Sequence, residues 1–189
     1  MRETLPLHHN KEKLGPSHPT AIFIDGPYLS KAADFIGLRK NNQDFDFEKM
    51  LKFLLGPGKL ITARYYTGLK FSPQVQPFFN KLEEFGYVII QSTENPVTGK
   101  VAPVDHQLLS DLCLLKDSYE IANVVSGDGD FAYPIEKLTR DFGKRINIIA
   151  ARHNMSTRLL ALAQTYPLTV RILLLDKHSP QFVMRKVFR

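Results

Sequence analysis

NVVSGDGDF, residues Asn123 to Phe131, sets two aspartates, Asp128 and Asp130, at the end of an apolar run, with Gly127 before them and Gly129 between. A turn alone accounts for Gly and Asp, which tight turns use for their backbone freedom and local hydrogen bonds. What surrounds the turn is more telling. IANVVSG before it reads as a buried strand, and PIEKLTRDFG after it as a helix, with Pro134 in the first turn and Gly143 past the end.

The same strand–loop–helix unit recurs along the chain. AIFI is a short apolar run ending at Asp25. FDFEKMLKFLL has helical spacing through Phe47, Met50, Leu51, Phe53, Leu54 and Leu55, and GPG at 56–58 stops it. LITARYYTG reads as a strand, and SPQVQPFFNKLEEFG as a helix with Phe78, Leu82 and Phe85 inward and Gly86 at its end. YVIIQS is a strand, and PVDHQLLSDLCLLK a helix with Leu108, Leu109, Leu112 and Leu115 inward. KRINIIAA, NMSTRLLALAQTY and LTVRILLL follow as strand, helix and strand. YVII, INII and RILLL are continuous rather than alternating apolar runs, as expected of strands covered by helices on both faces. The fold class is therefore α/β, a three-layer α/β/α sandwich with a mostly parallel central sheet.

A chain of 189 residues accommodates one such domain. Residues 1–19 are expected to form a flexible leader, 20–175 the domain, and 176–189 a basic tail that is either disordered or docked. The formal charge of +6 favours an anionic partner such as nucleic acid. The one cysteine, Cys113, allows no internal disulfide and is expected in the core as a small hydrophobe. The six histidines show no metal-ligand spacing. No signal-like stretch opens the chain and no apolar run approaches the roughly 18 residues of a membrane span, so a soluble cytoplasmic protein is expected.

In open parallel sheets, ligands bind beyond the carboxyl ends of the strands. Asp25 directly follows AIFI, Asp128 and Asp130 follow IANVV, and Asp105 stands at the start of the helix after VTGKVAP. Parallel strands would bring all four to one edge. Each has a plain structural alternative: Asp25 as a turn former, Asp105 as an N-cap, Asp128 in the turn, Asp130 as a first-turn acid. Together, clustered carboxylates repel unless a cation neutralises them, and oxygen-only ligands select hard ions such as Mg²⁺ or Mn²⁺. Asp111, six residues after Asp105, faces the same way only if Asp105 precedes the regular helix, and is a second-tier candidate.

IDG at 24–26, PVDHQLLSD at 103–111, VVSGDGDFAYPIEKL at 124–138 and GKRINII at 143–149 occur in the order found in NYN domains. Over about residues 20–175 the chain resembles the LabA-like branch of that family, within the PIN-like ribonucleases. The resemblance implies a PIN-like fold and an acidic pocket for Mg²⁺ or Mn²⁺. Asp25, Asp105, Asp128 and Asp130 match the family's acidic positions, Asp111 a further one, and Ser126 a small hydroxyl residue that orients a carboxylate or touches phosphate. Three departures stand out: Tyr28 replaces the usual Asn of IDGxN, His106 follows Val-Asp, and AQT at 163–165 replaces a common Ala-Asp pair.

The expected activity is metal-dependent cleavage of RNA, with single-stranded DNA as a possible further substrate and a homodimer as a possible assembly. Asp25 and Asp128 would bind the main ion, with Asp105 and Asp130 completing its shell. Lys100, Lys144, Arg145, Arg152 and Arg158 are candidates for a basic rim that holds substrate. Tyr28, Tyr65, Tyr66 and Phe71 are candidates for base stacking, although Tyr65 and Tyr66 alternate in a strand and one of them is expected in the core. Two alternatives remain. A non-catalytic RNA-binding module would keep the fold without the rate. A haloacid-dehalogenase-like phosphatase needs a second acid two residues after its nucleophile, where this chain has Pro27.

Overall fold

All six apolar runs form strands, and all six lie in one sheet. A computed structural model describes residues 17–92 and 103–185. In chain order the elements are β1 (Pro19–Asp25), α1 (Gly26–Phe35), β2 (Gln43–Phe45), α2 (Phe47–Leu55), β3 (Lys59–Thr67), α3 (Gln76–Glu84) and β4 (Tyr87–Gln91). There follow α4 (Val104–Leu114), β5 (Ile121–Val125), α5 (Ala132–Phe142), β6 (Arg145–Ala150), α6 (Thr157–Thr165), β7 (Val170–Leu174), α7 (Leu175–His178) and β8 (Val183–Arg185). The large sheet has the order β4-β3-β1-β5-β6-β7, and each of its pairings is parallel.

From β1 the chain builds outward through β3 to β4, then crosses to β5 and builds the other way through β6 to β7. The winding reverses between β1 and β5. At such a reversal the connections leave in opposite directions and open a crevice at the carboxyl ends of the two strands.

Helices cover both faces. Tyr65 meets Phe47 and Phe78 of α2 and α3, with ring centroids 5.7 and 5.8 Å away, while the hydroxyl of Tyr66 donates to Asp111 of α4 on the other side. Neighbouring residues of a strand point to opposite faces, and here both faces are closed. Tyr65 and Tyr66 are accordingly both buried, where only one was expected to be. In α3 the buried pair is Phe79 and Leu82, with Phe78 and Phe85 half-buried at its sides. In α4 the buried stripe is Val104, Leu108 and Leu112; Cys113, one helical step of 100° past that stripe, is exposed rather than in the core.

Two pieces of the fold were not anticipated. GPYLSKAADF forms α1, started by Asp25 as N-cap with Pro27 in the first turn. Beyond β7 the chain does not leave the body: β8 pairs antiparallel with β2, and Phe182, fully buried, packs against Phe45 and Phe53 at 6.2 and 5.1 Å. Through Arg185 the segment after β7 is packed on the body by these contacts. The leader up to residue 16, Lys100 and the last four residues lie outside the described residues.

Candidate active site

Asp25 is both the last residue of β1 and the N-cap of α1. Its Oδ1 accepts from the Tyr28 amide at 2.9 Å and its Oδ2 from the Ser126 hydroxyl at 3.1 Å. Only 8% of Asp25 is exposed. Burial pushes its carboxyl above the usual range, the two hydrogen bonds pull it back, and the charges of Asp105 and Asp128 push it up again. Two other carboxylates are thus near enough to act on it.

Ser126 is buried directly after β5, and its Oγ also accepts from the Asp128 amide at 3.3 Å. Asp128 in turn accepts from the Asp130 amide at 3.0 Å, which closes the short 3-10 turn Gly129–Phe131 ahead of α5. The two glycines of SGDGD are needed for close approach. A Cβ on Gly127 would collide with the Asn154 carbonyl and lie 2.8 Å from the Tyr28 ring; one on Gly129 would strike the Ser156 side chain. Ser156 is itself tied to this loop, its amide donating to the Gly127 carbonyl at 2.9 Å.

Asp25, Asp105 and Asp128 line one cavity of about 710 Å³ at the crevice between β1 and β5. Asp105 enters from the first turn of α4, where the helix dipole favours an acid. Asp130 does not line that cavity; it lines an adjoining one of about 560 Å³, and Gly129 is common to both. Asp111 lines neither: its Oδ2 accepts from Arg64 Nη1 at 2.6 Å and from the Tyr66 hydroxyl at 2.7 Å. Among the described residues no group of three or more His, Cys, Asp or Glu stands close enough to hold a metal ion by itself.

Tyr28 lines the acidic cavity, yet only 8% of it is exposed and its hydroxyl accepts from the Ala151 amide at 2.9 Å. Burial pushes that phenol up to about 12. The ring serves as a wall and a strut between α1 and the end of β6, with little open face for a base. Of the expected rim, Arg158 lies beside Gly129, and Arg152 follows β6 at the same edge, its amide held by Asp176 at 2.7 Å. Lys144 and Arg145 are misplaced by the sequence reading. They stand where β6 begins, at the opposite edge of the sheet, where Lys144 donates to the Tyr119 carbonyl at 2.8 Å and Arg145 lies 3.8 Å from Glu120. Lys31 and His153 were missed and line the acidic cavity. Lys31 falls one turn after Tyr28 on the same face of α1, a relation that only recognition of that helix could have signalled.

The NYN domain family model matches residues 19–170. The chain belongs to the NYN family. This is a PIN-like nuclease superfamily, and membership points to an RNA-related function. The NYN domain is also 29% identical over 128 residues to the low amplitude and bright protein LabA of Synechococcus elongatus, a match covering 62% of this chain and 66% of that protein's length. Among solved structures it is similar to a protein of unknown function from Vibrio parahaemolyticus, with a TM-score of 0.68 and 18% identity over 89% of this chain and 97% of the other. That likeness shows the shared three-layer fold. No helix among the described residues of this NYN domain is long and apolar enough to cross a membrane.

Proposed function

We propose that this NYN domain is a metal-dependent ribonuclease that hydrolyses phosphodiester bonds of RNA. One observation carries the reading: Asp25, Asp105 and Asp128, brought from three distant segments, line a single cavity at the reversal of the sheet, and the charges raising buried Asp25 are the other two. An all-oxygen donor set fits a hard divalent cation, Mg²⁺ or Mn²⁺. Mg²⁺ is commonly held by one or two carboxylates together with water and substrate phosphate, and so needs no tight three-acid cage, of which there is none among the described residues. Such an ion, when bound, eases deprotonation of water and offsets the charge that develops on phosphate.

In this reading Asp25 and Asp128 hold the ion and Asp105 completes its surroundings; Asp130, expected in the same shell, lines the adjoining cavity instead. The Tyr28 amide and the Ser126 hydroxyl fix both oxygens of Asp25 and favour its ionised form against burial. Ser126 couples the two principal acids, since it donates to one and accepts from the backbone of the other. Asp111 acts as an anchor that holds α4, and with it Asp105, against β3. Lys31, Arg152 and Arg158 supply positive charge for the substrate backbone. A cytoplasmic protein acting on RNA or single-stranded DNA, alone or as a homodimer, belongs to the same reading.

A second reading is an RNA-binding NYN module without cleavage, favoured by the spread of the acids and by Tyr28 as a strut at the cavity wall. Incubation of labelled RNA with Mn²⁺, Mg²⁺ or EDTA, beside Asp128→Asn, separates the two. Cleavage that needs the ion and is lost in the variant supports the ribonuclease. Binding that survives in the variant, with no cleavage by either protein, supports the module.

A further inference from the structure

The cavity beside the acidic one is built differently. It lies between α5 and α6, and its walls include Asp130, Tyr133, Glu136, Arg158, Leu162 and Tyr166. Gly129 lines both cavities, so the two adjoin at that residue. Tyr133 is 68% exposed and, among the described residues, its ring packs on no other ring. An exposed tyrosine at the lip of a concave site, with an aliphatic floor from Leu162 and Ala161, is the equipment for stacking a planar base.

Arg158 puts a positive charge at this cavity. Arg158 is exposed, and its aliphatic stem lies against Gly129, at the junction with the acidic cavity. Of the two acids here, Glu136 is neutralised by Arg140 at 3.0 Å and also accepts from the Tyr166 hydroxyl at 3.4 Å. Asp130 is the other, and it adjoins the acidic cavity through Gly129. A third cavity, of about 470 Å³, flanks the acidic one through Pro27, Lys31 and Gly68, but it suits a base less well. Its rings are already packed edge-on, Phe47 against Tyr65 and Phe78 at 5.7 and 5.6 Å, and Arg39 is committed to Asp34 at 2.8 Å.

We propose that Tyr133 and Arg158 form a nucleotide subsite next to the acidic cavity, Tyr133 stacking the base and Arg158 contacting the phosphate that leads to it. The proposal rests on the ribonuclease reading and adds a substrate class to it. The strand must be single, because a base stacked in this way has left its duplex partner.

The test is binding of a short single-stranded RNA carrying the fluorescent base 2-aminopurine, in EDTA so that nothing is cut. Wild type should bind and quench the fluorophore. Tyr133→Phe should keep both, and Tyr133→Ala should bind about tenfold more weakly with the quench lost. Arg158→Ala should lower the slope of log affinity against log salt by about 1. Equal binding and quenching by Tyr133→Ala would overturn the subsite; if metal-dependent cleavage is nonetheless lost in Asp128→Asn, the ribonuclease reading stands without it. Preference for a duplex over the single strand would also overturn the subsite. Failure of the wild type to bind RNA of either kind in EDTA would overturn the subsite, whereas absence of Mn²⁺- or Mg²⁺-dependent cleavage would overturn the ribonuclease reading.

Discussion

The Ser126 hydroxyl donates to Oδ2 of Asp25 across 3.1 Å, joining the ends of two neighbouring strands whose sequences lie a hundred positions apart. A hydrogen bond to a charged acceptor contributes roughly 1.5–3 kcal/mol, and this one favours the ionised form. Ser126→Ala removes it. The expected outcome is a higher Asp25 pKa and a cleavage rate reduced about tenfold near neutrality, with the acid limb of the pH–rate profile moved to higher pH. An unchanged acid limb in the variant would contradict the coupling.

Asp25 itself gives a prediction about stability. Its folded pKa is raised above the usual 3.8, chiefly by burial, so the folded protein binds its proton more tightly than the unfolded chain does. The stabilising contribution is full below that usual value and is lost as pH rises through the folded pKa. Without added metal, Asp25→Asn should therefore match wild type in acid and become relatively more stable toward neutral pH; with Mn²⁺ present, its cleavage should be abolished. Thermal melts of both proteins across this range, in EDTA, measure the difference. A variant less stable than wild type at neutral pH would go against it.

Gly127 has no room for a side chain, since a Cβ would overlap the Asn154 carbonyl and crowd the Tyr28 ring. Gly127→Ala should cost about 1–3 kcal/mol, as overpacking does in other tight sites, and displace Asp128. Denaturant unfolding gives the first quantity. The second should appear as weaker binding of Mn²⁺ than in wild type.

Removing the Asp111 carboxylate strands two partners at once, Arg64 and the buried hydroxyl of Tyr66. Asp111→Ala should destabilise the fold by about 3 kcal/mol. The double variant Asp111→Ala with Arg64→Met should recover part of that loss, because no unpaired cation is then left half-buried. Additive losses in the cycle would show that the pair is not coupled.

Phe182→Ala should cost about 3–5 kcal/mol, the range for large-to-small changes at fully buried aromatics, because Phe45 and Phe53 lose the ring that covers them. A chain ending before α7 should be destabilised at least as much. Chemical denaturation of both forms provides the measurement.

The strand–helix alternation was legible because inner strands are covered on both faces, as in AIFI of β1, every residue of which is buried, and so read as short apolar runs. The acidic positions were legible for a related reason: Asp25 and Asp128 interrupt or follow those runs just where each strand leaves the core. Elements that local pattern does not mark were not legible. Helix α1 carries alanines and a glycine start rather than a strong apolar stripe, and β8 is three residues long and finds its partner across most of the chain.

What the sequence by itself determined is the alternation of elements, and hence an α/β sandwich with aspartates at strand ends, since burial on two faces and chain termination at an edge leave local marks. Tertiary structure decided which of those aspartates share a cavity. Strand order places β5 beside β1 and the sheet's reversal opens a crevice between them, so Asp25, Asp105 and Asp128 meet. Strand direction sends Lys144 and Arg145 to the far edge, and the turn of about 240° from Asp105 around α4 gives Asp111 to Arg64 instead. Spacing along a chain records local geometry; which distant segments become neighbours depends on the packing of the whole sheet.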